Sequence, residues 1–199
     1  MPVLITQDST MIILPVDYSQ KAIEREFDKL TRIDFCNVEA HLYMHKKGVF
    51  AAVVKAEPNS KGRHNCIAKI DFVSVPWSKA LVVDNFFEKE PAQVEGVVVD
   101  DSYRNGQLAF SMYEYLVAEH GLNIISDSEQ YAGGQAIWKK LARESTKLNV
   151  YPFDVETQRF FPCPNGDNLI YDGENISDDT LWSLDPDRSK ERVVLIAKA

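Results

Sequence analysis

The stretch "VVVDDSYRNGQLAFSMYEYLVAEHG" (residues 97–121) decides the fold. Its three valines favour a strand, and an acidic turn containing one arginine, one asparagine and one glycine follows them. Apolar residues then recur at helical spacing on two sides, which is typical of a helix packed between a sheet and another layer. A strand that enters a helix through such a turn is one way in which proteins hold phosphate groups, because the first N–H groups of a helix lack helical partners.

The chain continues this strand–helix pattern in both directions. Downstream, Gly121 ends the helix, a short buried strand is predicted at residues 122–128, and residues 129–145 return to helical spacing. Upstream, residues 17–33 predict a helix capped by Asp17 or Ser19, with Ile23, Phe27 and Leu30 on one face. The predicted strands elsewhere are residues 3–14, 40–56, 66–75, 78–99, 148–155 and 191–199.

This order of elements predicts an α/β or α+β chain with a mixed sheet. The early strands are close enough for hairpins, whereas the later ones need crossovers. Length and composition agree, because 199 residues, 45% hydrophobic and 26% charged, suit a globular protein with a real core. No apolar run approaches the length of about 18 residues that a membrane span needs, and no membrane partner is predicted.

Charge and cysteine usage narrow the classes of function. A net charge of −8 argues against a protein that grips nucleic-acid phosphates. Cys36, Cys66 and Cys163 are scattered without metal-ligand spacing, so no metal site is predicted and a reduced, cytoplasmic location is expected. Acidic residues concentrate in residues 165–188, which predicts a polar excursion. The sequence leaves open whether this excursion is a lid, an interface or a solvent-facing loop.

Two segments carry a resemblance to a known family. They are "VVVDDSYRNGQLA" (residues 97–109) and "QAIWKKLA" (residues 135–142), with a strand between them. This pattern resembles the strand-and-turn motif V-x-P-x-x-R-G-x-G-x-G/A and the helix A-x-x-L-Y-E-K-L of the GCN5-related N-acetyltransferase (GNAT) family. The residues that stand at the motif's valine, aromatic–arginine pair and final small residue are Val99, Tyr103, Arg104 and Ala109.

The resemblance implies a single domain with a splayed, mixed sheet flanked by helices. Residues 1–90 would supply a helix and antiparallel strands, residues 91–153 the acyl-CoA-binding half, and residues 154–199 the last strands with the acidic loop. It also implies acetyl-CoA as the co-substrate, with its diphosphate at the turn and its pantetheine arm in the gap beside the preceding strand. The implied cofactor-binding residues are Val97, Val98, Val99, Arg104, Asn105, Gly106, Gln107 and Ala109.

The chain departs from the family at two positions. Gln107 stands where the motif has its middle glycine, and Trp138 stands where the helix has a tyrosine that often protonates the leaving thiolate. The proton would then come from Ser126, Ser128, Tyr131 or water. Trp138 itself is expected in the core or in a wall of the acceptor pocket.

Two carboxylates are candidates for the base that takes the proton of the amine. Asp127 follows the buried strand, where its pKa could be raised, or else it caps a helix. Glu95 lies on the strand before the turn, where alternation would equally place it in solvent. The candidate catalytic residues are Asp127, Ser126, Glu95 and Tyr131.

The function implied by the resemblance is acyl transfer from acyl-CoA to an amine of a protein or small molecule. The amine would attack the thioester directly in a ternary complex, with backbone N–H groups stabilising the oxyanion. A second hypothesis keeps the scaffold but not the catalysis, as in bacteriophage-encoded proteins that bind host machinery; a host protein or a second copy of the chain would then be the partner. A third, nucleobase modification, is disfavoured by the net charge.

Overall fold

A computed structural model describes residues 3–5, 14–35, 37–73, 91–127, 129–182 and 193–199. It is an α+β protein with parallel and antiparallel strand pairs, as the sequence predicts. The strands are β1 (Val3–Ile5), β2 (Asp17–Ser19), β3 (Phe27–Phe35), β4 (Val38–His45), β5 (Phe50–Pro58), β6 (Arg63–Val73), β7 (Ala92–Val99), β8 (Ile124–Ile125), β9 (Glu129–Tyr131), β10 (Asn149–Asp154), β11 (Arg159–Phe160) and β12 (Val193–Lys198).

Most of the helices are short. They are α1 (Gln20–Glu26), a 3-10 helix (Asp101–Gly106), α2 (Leu108–Glu114), a π-helical continuation of α2 (Tyr115–Glu119), α3 (Ala132–Glu144) and α4 (Asp178–Leu181). Among the residues described, no helix has both the length and the apolar character that crossing a membrane requires. Parts of the predicted strands at residues 3–14 and 78–99 lie outside the described residues, which include only β1 and β7 from them.

The chain divides into two compact units. The hairpin unit comprises Thr10–Val73 and Glu95–Met112, and the helical unit comprises Met1–Ser9, Ser74–Val94 and Tyr113–Ala199. In the hairpin unit the strand order is β7-β6-β5-β4-β3, with β2 also paired to β6. In the helical unit the order is β11-β10-β12-β8-β7, and β1 pairs separately with β9. Strand β7 therefore contributes residues to both units.

The first helix of the hairpin unit is shorter than predicted. Ser19 caps α1, because its hydroxyl accepts a hydrogen bond from the N–H of Ala22 at 3.2 Å. The predicted continuation through Phe27 and Leu30 is wrong, since Phe27 is already extended and both residues lie in β3. Pairing with β4 outweighs the helical spacing: the register runs from Phe27 opposite His45, and it shifts beside Leu30 at a bulge.

Aromatic packing explains why the chain forms a strand rather than a helix at Phe27. The ring of Phe27 is 5% exposed and lies 5.1 Å from the ring of Tyr18 and 5.4 Å from that of Phe50. Burying a phenylalanine contributes about 1.5–3 kcal/mol, which exceeds the small differences in helix propensity of the local residues. The core of the unit continues through Ile23, Ala52, Val54 and Cys66.

The helical unit is built around two buried strands. Strand β12 pairs antiparallel with both β10 and β8, and all of its residues from Val193 to Ala197 are buried. Strand β8 also pairs in parallel with β7, but the ladder contains only Ala92 opposite Ile124 and Gln93 opposite Ile125. Strand β7 itself continues to Val99. The predicted short strand, and the crossover that a parallel neighbour needs, are both confirmed.

The helix after the turn is apolar on two sides, as predicted. Gly121, at a φ of +72°, follows its end, a conformation that glycine adopts without steric cost. The buried residues on its two sides are Leu108, Phe110, Met112, Tyr113, Leu116 and Val117.

The described part of the acidic segment is anchored within the helical unit rather than solvent-facing throughout. Tyr171 and Leu181 have no exposed surface, and Trp182 is 3% exposed. Asp178 accepts hydrogen bonds from Nζ of Lys139 on α3 at 2.8 and 3.0 Å. Isolated apolar residues therefore hold a segment whose composition is mostly polar.

Candidate functional site

The turn between β7 and α2 has a well-defined backbone. Asp100 caps the 3-10 helix by accepting a hydrogen bond from the N–H of Ser102 at 2.9 Å. Gln107 then adopts a left-handed conformation, with φ +66° and ψ +11°, and its carbonyl accepts the N–H of Ser111 in the first turn of α2. A glycine would favour this conformation, so Gln107 occupies the backbone state that the motif's middle glycine would allow.

A right-handed residue followed by a left-handed one forms a nest, in which successive N–H groups converge on one side. Gly106 ends the 3-10 helix and Gln107 is left-handed, so the backbone at these two residues has the order of conformations found in a nest. Nests bind anions such as phosphates because their N–H dipoles point inward together. The strained state of a non-glycine residue there is of the kind found at functional sites.

Arg104 lies on the same turn and is 65% exposed. Its guanidinium forms an ion pair with Asp101 at 2.6 Å and donates a hydrogen bond from Nε to the carbonyl of Val99 at 3.3 Å. Asp101 is 83% exposed. Exposed ion pairs of this kind contribute about 0–1 kcal/mol, so a more highly charged anion could replace Asp101 at little cost.

The other predicted cofactor-binding residues all lie on this strand, turn and helix. Residues 97–99 are half-buried in β7, Asn105 lies within the 3-10 helix, and Ala109 is half-buried in α2. The exposed Glu95 lies earlier on the same strand. The structure thus brings the turn residues and one candidate base into the hairpin unit.

A pocket of about 350 Å³ opens in the hairpin unit beside the start of this turn. Its lining contains both apolar and polar residues. The apolar lining residues are Leu14, Pro15, Val16 and Ile67. The other lining residues are Lys55, Asn65, Cys66, Asp100, Ser102 and Tyr103.

Lys55 and Tyr103 define the polar side of the pocket. Nζ of Lys55 lies 5.2 Å from the centre of the Tyr103 ring, and Phe35 supports that ring from 6.1 Å. Cys66 is 3% exposed as a residue, and burial raises the pKa of its thiol to about 12, so it stays protonated at neutral pH. A protonated thiol is a poor nucleophile, which removes it from covalent roles.

The remaining candidate catalytic residues belong to the helical unit. Ser126 has no exposed surface, and its hydroxyl accepts the backbone N–H of Leu195 at 3.0 Å. Its carbonyl accepts the side-chain amide of Gln93 at 3.4 Å. These bonds give Ser126 a structural role at the end of β8. Asp127 is half-buried, and the backbone of Tyr131 ends β9.

Tyr113 is not among the functional residues that the sequence predicts. Its ring is 1% exposed and meets Trp138 edge-on at 5.5 Å, and Trp138 is 2% exposed, as expected for a core residue. Burial, and secondarily the charge of Asp127, raise the pKa of the Tyr113 phenol. Asp127 is therefore close to a buried phenol, a relationship that the sequence showed only as one apolar-face position on a helix.

Comparison with models of protein families, with curated proteins and with solved structures finds no match to this chain.

Proposed function

We propose that the chain binds acyl-CoA and transfers its acyl group, most simply acetyl, to an amine. The observation that carries the proposal is the nest at Gly106 and Gln107, which lies at the position where the GNAT resemblance expects the cofactor diphosphate. Arg104, on the same turn, adds a cation that, among the described residues, only an exposed carboxylate and one carbonyl engage. Charge-assisted bonds from a guanidinium to a diphosphate are about twice as strong as neutral ones.

The resemblance to the GNAT family also implies where the pantetheine arm would bind. In that family the arm lies along the strand that precedes the turn, which is β7 in this chain. Backbone N–H and C=O groups at residues 97–99 would then pair with the amides of pantetheine.

The reaction would proceed by direct attack. The nitrogen of a neutral amine would form a bond to the thioester carbonyl carbon, and the carbon–sulfur bond would break as the tetrahedral intermediate collapses. One proton leaves the nitrogen and one is taken up by the sulfur. Glu95 and Asp127 are the carboxylates proposed to accept the first proton. Tyr131 or water would supply the second, because Ser126 has no exposed surface.

Calorimetric titration with CoA tests the proposal. We expect CoA to bind and pantetheine, which lacks the diphosphate, to bind far more weakly. Arg104→Ala should weaken CoA binding about ten- to a hundredfold, since hydrogen bonds to charged groups contribute about 1.5–3 kcal/mol. Arg25→Ala is the matched control, because Arg25 is likewise exposed and forms an ion pair with a neighbouring carboxylate. CoA that neither binds nor raises the unfolding temperature at millimolar concentration would contradict the proposal.

A second candidate function is the same scaffold without catalysis. The observation in its favour is that Ser126 and Trp138 are both buried. Ser126 is one of the expected proton donors, and Trp138 stands where the family has its proton-donating tyrosine. Thiol release distinguishes the two functions. A protein that binds CoA, yet releases no thiol from acetyl-CoA with any amine of a chemically diverse panel, supports the binding function.

A further inference from the structure

The pocket of the hairpin unit contains a lysine that pairs with no carboxylate of the described residues. Lys55 is half-buried, and its ammonium group lies over the Tyr103 ring. Within the described residues no carboxylate lies at ion-pair distance from it. Asp100 lines the same pocket but uses Oδ1 to cap the 3-10 helix. A cation drawn partly out of water and left without a counter-ion favours an anion that enters from solution.

Other residues that line the pocket also carry hydrogen-bond donors. Ser102 and Tyr103 line it, and in the described part of the chain neither hydroxyl makes a hydrogen bond. Asn65, another lining residue, accepts a hydrogen bond at its side-chain oxygen from Asn59 at 2.7 Å, and its amide group can still donate. The polar lining residues therefore offer mainly donors, and donors suit an acceptor-rich group.

The apolar lining residues suit an apolar body. They include Leu14, Pro15 and Ile67, and Val16, also in the lining, is 80% exposed. A volume of about 350 Å³ lies at the lower end of the range for small-molecule sites. An exposed apolar residue beside a pocket loses unfavourable contact with water when an apolar ligand covers it.

We propose that this pocket binds a small monocarboxylate with an apolar body, with the carboxylate on Lys55 and Tyr103 and the body against Leu14, Val16 and Ile67. The negative charge of Asp100 favours a carboxylate over a phosphate as the anionic group of the ligand. Its carboxylate repels a doubly charged phosphate more strongly than a singly charged carboxylate, because the Coulomb energy scales with the ligand's charge. The proposal does not rest on acyl transfer, since it concerns the pocket and not the turn's nest.

A matched set of probes tests the chemistry of the ligand. Hydrocinnamate, phenyl phosphate and phenethylamine share an aromatic body and differ in charged group. Binding is followed by the chemical shifts of labelled protein, without CoA. We expect hydrocinnamate to bind at least about tenfold more tightly than phenyl phosphate, with shifts at Tyr103 and Ile67, and phenethylamine not to bind. The proposal is overturned if phenethylamine binds as tightly as hydrocinnamate. It is also overturned if neither hydrocinnamate nor isocaproate, an aliphatic monocarboxylate, shifts a pocket residue at millimolar concentration.

Two substitutions locate the site. Lys55→Met keeps the stem of the side chain and removes its charge, so we expect hydrocinnamate to bind about ten- to a hundredfold more weakly. Lys47→Met is the control. It removes the same charge, but from a lysine that is exposed in the turn before β5 and does not line the pocket. Tyr103→Phe, which keeps the ring and removes one donor, is expected to weaken binding by a smaller factor. Unchanged affinity in folded Lys55→Met and Tyr103→Phe proteins overturns the proposal, and failure of CoA to bind does not affect it.

Discussion

The indole N–H of Trp182 donates a hydrogen bond to Oε1 of Gln130 across 3.1 Å, and both side chains are buried. Nε2 of the same glutamine has no partner among the described residues. One polar atom of Gln130 is therefore satisfied by the acidic segment, while the other carries an uncompensated cost of burial. This bond ties Trp182, the last described residue of that segment, to β9 in the helical unit.

The two residues should be energetically coupled. Trp182→Phe removes the donor and leaves Oε1 of Gln130 unpaired, so we expect the free energy of unfolding to fall by about 1–3 kcal/mol, plus the cost of the lost ring volume. Gln130→Leu should cost less, because it also removes the unpaired Nε2. The double variant should be less destabilised than the sum, by about 1 kcal/mol in urea unfolding. Additive effects would contradict the coupling.

The left-handed residue in the turn should tolerate glycine. Gln107→Gly relieves the cost of a side chain at φ +66° but loses chain entropy, so we expect stability to change by less than about 1 kcal/mol. Gln107→Val should be destabilising by at least about 1 kcal/mol more, because a branched side chain clashes in this conformation. Denaturant unfolding measures both.

A second left-handed glutamine gives the control for function. Gln158, at φ +55°, lies outside the hairpin unit. If the nest binds CoA, Gln107→Gly changes the affinity for CoA and Gln158→Gly does not. Equal effects of the two substitutions on CoA binding would argue that the turn is not the cofactor site.

Substitution of two glycines by alanine would distinguish the cost of backbone strain from the cost of close packing. Gly173 has φ +93°, and an added Cβ would lie 3.0 Å from the carbonyl oxygen of Lys139 on α3. Gly166 has nearly the same φ, +89°, but an added Cβ would meet nothing within 4 Å. Gly166→Ala should therefore cost about 1 kcal/mol from strain alone, whereas Gly173→Ala should cost about 1–3 kcal/mol more. Similar unfolding free energies for the two variants would contradict the tight contact with α3.

Stability at alkaline pH should depend on Cys66. Burial raises the pKa of its thiol from 9.0 to about 12, so the folded protein prefers the protonated form. This contribution to stability is fully present below about pH 9 and is lost as the pH rises towards 12. The difference in unfolding free energy between the wild type and Cys66→Ala should shrink above pH 9, by at most about 1.4 kcal/mol per pH unit. Cys163→Ala, at a half-exposed position, is the control; a difference for Cys66→Ala that stays constant with pH would contradict the burial effect.

Local signals were sufficient for much of the fold. Gly121 marked the end of a helix, and the run before Ser126 marked a buried strand, because each depends on residues close in sequence. Phe27 and Leu30 were misassigned because their spacing fits one helical face, whereas pairing with β4 and the packing of the Phe27 ring come from distant residues. The anchoring of the acidic segment was hidden for the same reason, since only Tyr171, Leu181 and Trp182 interrupt its polar composition.

The candidate site was only partly visible in the sequence. The motif around Arg104 predicted the turn, but a glutamine at the expected glycine gave no sign that it would adopt the left-handed state. The pocket depends on Lys55 and Tyr103, which are distant in sequence and meet through a cation–π contact. No spacing pattern predicts such a pair, and nothing in the sequence distinguishes Lys55 from the other lysines.

The division of the chain has a consequence for its synthesis. Every residue of the hairpin unit, including the turn and the pocket, precedes Tyr113, whereas the helical unit needs strands from both ends of the chain, up to β12. A ribosome therefore releases a complete hairpin unit while β12, the central strand of the other unit, is still untranslated. Because compact parts of a chain fold as they emerge, the half that carries the ligand pocket is the half that the nascent chain is able to close first.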